Sequence, residues 1–175
     1  MMKNILVTGC SRGIGFEIVK SFATAQNISV LAISRDNTGL KKLEKECNLV
    51  NTCFKLHTLS IDLEDMNSID IILKYIKQKM NNSLDGVIHN AGFLVKKTFT
   101  EITQLELEKS FKVNLFSPFL LTQKLIPLFT KNAHILSISS MGGVQGSKKF
   151  PGLSAYSTSK ATLITLTECL AEEFK

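Results

Sequence analysis

Short apolar runs of strand length alternate with apolar residues at helical spacing along the whole chain. Asn4–Thr8 is such a run, ending at a glycine, and predicts a first buried strand. Ile14, Ile18, Val19 and Phe22 then recur at helical spacing, so a helix follows. Ser29–Ile33 predicts a second strand, and Leu40-Lys41-Lys42-Leu43 begins a short polar helix. Phe54–Ile61 alternates as a third strand, while Ile69, Ile72, Leu73 and Ile76 share one helical face. Gly86–Asn90 predicts a fourth strand. A long helix is expected from about Thr103 to Thr130, with Thr103 and Glu106 spaced as a capping box at its start. Ala133–Ser139 predicts a fifth strand, and Tyr156 to Phe174 a last helix whose threonines weaken its propensity.

Strands alternating with helices in this order predict an α/β fold built on a parallel sheet covered on both faces. Right-handed crossovers then give a doubly wound, Rossmann-type sheet in three α/β/α layers. No repeat, low-complexity tract or linker interrupts the pattern, so residues 1–175 are expected to form one domain.

Composition narrows the picture. The chain has 175 residues, 44% hydrophobic and 21% charged, which is the balance of a packed domain and not of disorder. No apolar run reaches the roughly 20 residues of a membrane span, and the apolar stretch before Gly9 is too short for a signal peptide. The four cysteines form no CxxC pair and the histidines are scattered, which argues against zinc. Unpaired cysteines and no targeting segment point to a reducing cytoplasm. The net charge of +6 is spread along the chain, without the concentrated basic face of a nucleic-acid binder, and leaves a modest pull on anionic ligands.

The first strand runs directly into Thr8-Gly9-Cys10-Ser11-Arg12-Gly13-Ile14-Gly15 and a helix. Glycines there let backbone N–H groups approach a pyrophosphate, and the helix N-terminus adds unpaired donors and its dipole. The spacing is G-x-x-x-G-x-G, not the general G-x-G-x-x-G fingerprint. A second motif lies far downstream, in Tyr156-Ser157-Thr158-Ser159-Lys160. Residues four apart stack on one helix face, so the phenol and the ammonium can serve one site. A neighbouring ammonium favours the phenolate and brings proton exchange nearer neutral pH.

With these two motifs in this order, the chain resembles the short-chain dehydrogenase/reductase family over essentially its whole length. The resemblance implies hydride transfer between a nicotinamide cofactor and a carbonyl or alcohol. Gly9, Gly13 and Gly15 would line the cofactor phosphates, with Ser11 and Ile14 near them. Ser34 stands in the slot where NAD-preferring relatives carry an acid. Arg35 follows it, and Arg12 sits in the glycine loop, so two guanidinium groups favour the 2′-phosphate of NADP(H). Asp36 caps the next helix or, with a one-residue shift, is itself the ribose acid. Asp62 would meet the adenine amino group or serve as a helix N-cap. Asn90-Ala91-Gly92 resembles the family's N-N-A-G segment with His89 in place of the first Asn. It would support the sheet and the ribose side of the cofactor, with His89 a structural hydrogen-bonding residue.

The same resemblance assigns Tyr156 as general acid/base, with Lys160 lowering its pKa and binding the nicotinamide ribose. Ser140 would hold the reacting oxygen, with Ser139 as the substitute; Ser147-Lys148-Lys149 makes the connection to Tyr156 a few residues longer than usual. The backbone carbonyl of Asn114 would hold a water in a proton relay to Lys160. Pro118, four residues on, has no N–H to occupy that carbonyl, and a kink is expected there. Phe93, Leu94 and Val95 are an apolar wall or ordinary core. The family continues beyond the position of Lys175 into further strands and the substrate-closing segment, so the chain is expected to lack them, as a fragment or a truncated product. That leaves an alternative function, a non-catalytic dinucleotide-binding or dimerisation module. Relatives pair through the long helix and the tyrosine helix, so a homodimer or homotetramer is expected. Family substrates include simple ketones or aldehydes, pterin-like carbonyls and acyl-carrier 3-oxo thioesters; no nucleic-acid or membrane partner is expected.

Overall fold

A computed structural model describes residues 2–175. Five strands, β1 (Lys3–Thr8), β2 (Ile28–Ser34), β3 (Lys55–Ser60), β4 (Leu84–His89) and β5 (Phe129–Ser137), form one sheet in the order β3-β2-β1-β4-β5. Every neighbouring pair is parallel. Among the described residues five α-helices lie between the strands, α1 (Gly13–Phe22), α2 (Asn37–Val50), α3 (Ser68–Lys79), α4 (Gln104–Phe111) and α5 (Ser117–Leu125), and α6 (Ser154–Glu173) follows β5. The doubly wound three-layer arrangement expected from the sequence is present.

Two apolar clusters glue the helices to the sheet. Val7, Val30 and Ala32 meet Phe16 and Val19 of α1 and Leu40, Leu43 and Cys47 of α2 on one face. Leu6, Leu31 and Val87 meet Ile72 and Ile76 of α3 and Leu121 and Leu125 of α5 on the other. The central strands are apolar on both sides because both sides are covered. β5 is an edge strand, and its Leu136 is 46% exposed.

The long helix expected from Thr103 to Thr130 is not continuous. The capping box holds at its start, with the Thr103 hydroxyl accepting from Glu106 N and the Glu106 carboxylate accepting from Thr103 N. The α-helix then gives way to a π-helical turn at Lys112–Phe116, resumes as α5, and ends in a 3₁₀ turn at Ile126–Leu128. Pro118 cannot donate to the carbonyl four residues back, and the backbone answers by shifting register: Ser117 N donates to Lys112 O, five residues away. Phe129 and Thr130 belong to β5, which starts before the expected Ala133 and stops at Ser137. Its register slips between Leu84 and Gly86 of β4, so its first residues look irregular in sequence. α2 runs from Asn37 and is longer than expected, because Asp36 caps it through Thr38 N and Gly39 N at 3.0 and 3.1 Å. The threonines of α6 are accommodated by donating to carbonyls three or four residues back, as from Thr158 to Ser154 and from Thr167 to Leu163.

Candidate functional site

Strand order reverses at β1, with β2 on one side and β4 on the other, and the carboxyl ends of these strands open into a cleft of about 420 Å³. Such a switch point is where doubly wound sheets receive ligands. The lining draws Gly9 and Ser11 to Ile14 from the first turn, and Ser34 and Arg35 from the end of β2. Asp62 between Ile61 and Leu63 contributes from the end of β3, and Asn90 to Phe93 from the end of β4. Val113 of the π-helical turn closes it.

The glycine turn is fixed by what it touches. A Cβ on Gly9 would stand 2.7 Å from Ala91 Cα, and one on Gly15 would stand 2.4 Å from both Asn90 Nδ2 and Gly9 O. These positions are glycine because the turn packs against the Asn90-Ala91 backbone. Gly13 differs: its φ is +64° and nothing lies within 4 Å of a Cβ there, so it faces open space at the cleft wall. The Asn90 amide donates to Thr8 O and Gly9 O at 3.0 and 2.9 Å, and the Thr8 hydroxyl accepts from Asn90 N and Ala91 N. α1 starts at Gly13 with no side-chain cap, so its first N–H groups stay free for an anion.

At the far end of the cleft Arg35 faces Asp62, Nη1 to Oδ2 at 3.7 Å, with both side chains about half exposed. Asp62 also accepts from Glu64 N in a local turn, and α3 begins only at Ser68, so Asp62 is not that helix's cap. Asp36 is engaged as the cap of α2, and is absent from the cleft lining where Ser34 is present. Arg12 is exposed on the cleft wall.

Gly15, Asn114, Ser140, Tyr156 and Lys160 do not line this cleft. Asn114 and Lys160 lie next to Gly92, which itself lines the cleft: a Cβ on Gly92 would be 3.5 Å from both Lys160 Nζ and Asn114 Oδ1. Lys160 is 2% exposed, and its Nζ donates to Ile138 O at 2.7 Å. Burial pushes its ammonium down to about 8. Tyr156 sits half-buried in the first turn of α6. The two neighbouring serines separate cleanly. Ser139 spends its hydroxyl on Lys160 O at 2.8 Å, whereas Ser140 accepts from Gly142 N at 3.2 Å and caps the short turn Met141–Gly143. That turn docks closely on α6, since a Cβ on Gly143 would be 2.8 Å from Ala161 N.

Asn114 is fully buried, and its side chain is a clamp: Oδ1 accepts from Phe93 N, and Nδ2 donates to Phe93 O and to Ser159 Oγ, at 2.8, 2.9 and 2.8 Å. Ser159 in turn donates to Tyr156 O. One buried hydroxyl thus ties the loop after β4 to the helix bearing Tyr156 and Lys160. Sequence reading missed Ser159, Ile138 and Val113, although each adjoins a residue it singled out. His89 is buried and pairs with the Thr122 hydroxyl through Nε2 at 2.8 Å, a structural role within the core. Among the described residues no cluster of three potential metal ligands occurs, and no helix is long and apolar enough to cross a membrane.

Comparison with known proteins bears on this geometry. The profile of the short chain dehydrogenase family matches residues 3–175. The benzil reductase ((S)-benzoin forming) of Saccharomyces cerevisiae is 29% identical over 99% of this chain and 66% of its own length. A ketoacyl reductase of Nostoc is 30% identical over 98% of this chain and 58% of its own, and an L-xylulose reductase of Caenorhabditis elegans 31% identical over 98% and 65%. A short-chain dehydrogenase structure from Streptomyces avermitilis superposes with a TM-score of 0.84 at 31% identity, covering 99% of this chain and 61% of that one. The chain spans between 53% and 66% of the length of the curated relatives it matches.

Proposed function

The chain belongs to the short-chain dehydrogenase/reductase family, and from that premise we propose that it carries the NADP(H)-binding and proton-transferring core of an oxidoreductase acting on a carbonyl or alcohol. The observation that carries this reading is Gly92, set between the cleft and Lys160 Nζ. The cleft's own residues fit a nicotinamide dinucleotide. Uncapped N–H groups of α1 and the open wall at Gly13 suit a diphosphate, and Arg12 and Arg35 suit a 2′-phosphate. Ser34 puts no carboxylate at the end of β2, and the nearest acid in the cleft is Asp62, 3.7 Å from Arg35.

When bound, the nicotinamide supplies the hydride to the carbonyl carbon in reduction and takes it back in oxidation. Tyr156 gives its phenolic proton to the carbonyl oxygen, so that a ketone or aldehyde leaves as an alcohol. Lys160, charged at neutral pH with its pKa near 8, favours the phenolate left behind and holds the ribose. Ser140 donates to the reacting oxygen. Asn114 fixes the loop at Phe93, and its carbonyl, with no partner at Pro118, takes the water of a relay to Lys160. The named relatives are largely reductases, which supports a carbonyl substrate.

Tyr156→Phe tests the assignment: NADPH-dependent carbonyl reduction should fall at least about a hundredfold while NADPH binding stays within twofold. Unchanged turnover would refute it. Side-by-side fluorescence titration should give tighter NADPH than NADH, and equal or tighter NADH binding would overturn the cofactor preference.

A second reading is a dinucleotide-binding or dimerisation module without turnover. Leu115, Phe116, Phe119 and Leu120 form an apolar surface across the π-helical turn and α5, which suits pairing through these helices as a homodimer or homotetramer. NADPH binding without carbonyl-dependent oxidation by the 175-residue chain would select it.

A further inference from the structure

At the opposite end of the sheet from the cleft, the amino ends of β1, β2 and β3 border a second cavity, of about 440 Å³. Strand register sets its floor. Asn4 pairs with Ser29 and Ser29 with Lys55; two residues on, Leu6, Leu31 and His57 stand in the same relation. Side chains two apart share a sheet face, and Leu6 and Leu31 pack with Ile72 and Ile76 of α3. The row before them on that face is polar, where continued packing would call for apolar residues. α3 ends beside it, and Lys79 and Asn81 stand in the cavity wall.

The charge in this cavity is of one sign. Lys55, His57 and Lys79 line it, and no aspartate or glutamate does. Neither lysine has an ion-pair partner among the described residues. Burial first, and then the ammoniums of Lys55 and Lys79, hold the His57 imidazole below its ordinary range. Its Nδ1 shares a hydrogen bond with the Tyr75 hydroxyl at 3.1 Å. Ser29 is 3% exposed, and its hydroxyl makes no hydrogen bond to the described residues. Among those residues Ser68 Oγ is the one side-chain polar atom sealed off without a partner, so Ser29 Oγ opens onto the cavity. A buried hydroxyl left unpaired is costly unless water or a ligand meets it. Asn4 differs, since its amide donates to Met80 O and Ser83 O. Cations in the last turn of a helix offset its dipole, which accounts for Lys79 but for neither Lys55 nor the open hydroxyl.

We propose that this cavity is a binding site for a small dianion, a phosphate monoester or a dicarboxylate, held between Lys55 and Lys79 with the Ser29 hydroxyl donating to one of its oxygens. Two ammoniums on separate elements match two negative charges, and a lysine serves a compact anion as a point charge. A concave wall of one sign, with no opposing acid, focuses the field that draws the anion in. The site lies at the other end of the strands from the cleft, so its occupation does not depend on the oxidoreductase reading.

Proton NMR of the His57 ring, identified by its loss in His57→Gln, gives a local readout, since an anion meeting the glycine turn at the far end of the strands leaves that ring unmoved. Inorganic phosphate and succinate are titrated separately at constant ionic strength, with chloride as the reference. At least one should move the His57 resonances saturably and raise the pKa read from them, because an anion beside the ring favours its charged form. A response to phosphate alone assigns a phosphate ligand, to succinate alone a dicarboxylate, and to both the shared dianion chemistry. K55Q/K79Q should weaken binding at least about tenfold and K55R/K79R by less than about threefold. Ser29→Ala should weaken it about fivefold. No saturable response to either ion, an equal response to chloride, or an affinity unmoved by K55Q/K79Q or by Ser29→Ala overturns the proposal.

Discussion

His89 shows how one buried side chain makes stability depend on pH. Burial, and secondarily the Lys160 ammonium, push its imidazole down to about 4 from an ordinary 6.5. The unfolded chain therefore binds the proton more readily between those values. Its contribution is complete above pH 6.5 and is lost as pH falls towards 4, a difference of about 3 kcal/mol. His89→Asn keeps a polar group near Thr122 but removes the titration. Denaturant unfolding at pH 7.5 and 4.5 should then show a smaller loss for the variant than for the parent chain. Parallel losses would mean that the imidazole is not held neutral. At the same scale the four cysteines divide by environment. Burial raises Cys10 to about 12 and Cys47 to about 11, whereas Cys53 and Cys169 are exposed. Ellman's reagent should modify two thiols promptly in the native chain and all four after unfolding.

Among the elements, the π-helical turn and α6 are the coupled pair. Pro118 imposes the register shift, the shift buries Asn114, and Asn114 grips Phe93 and Ser159. Ser159→Ala would leave Asn114 Nδ2 with one partner of two in a fully buried place, which costs about 1–3 kcal/mol. It should also loosen the loop carrying Gly92 and weaken NADPH binding, as read by a shifted unfolding midpoint and by fluorescence titration. An unchanged midpoint would show that this tie adds nothing. The capping box of α4 is the opposite kind of feature, made within four residues and visible in the sequence from Thr103 and Glu106 alone.

For the whole molecule, the sheet order and the two-sided core bring the cleft residues, all but Val113, to the turns that follow the carboxyl ends of four strands. All five strands were recognisable from apolar or alternating runs, most clearly the central three, since strands covered on both faces cannot be polar. Their ends were less so: β5 begins at Phe129, four residues early, where the slipped pairing with β4 leaves no alternation to read.

Local order carried the α/β pattern, the glycine turn, the cap of α4, and the placing of Tyr156 and Lys160 one turn apart on one helix, since each depends on residues within a few positions of one another. The different hydrogen bonds of Ser139 and Ser140, the capping of α2 by Asp36, and the break in the helix before Pro118 waited for the folded chain. Ser139 is turned away by the Lys160 carbonyl, 21 residues distant, and Asn114 is oriented by Ser159, 45 residues distant. Hydrogen bonds across such separations depend on how helices and strands pack, so no pattern along the chain announces them.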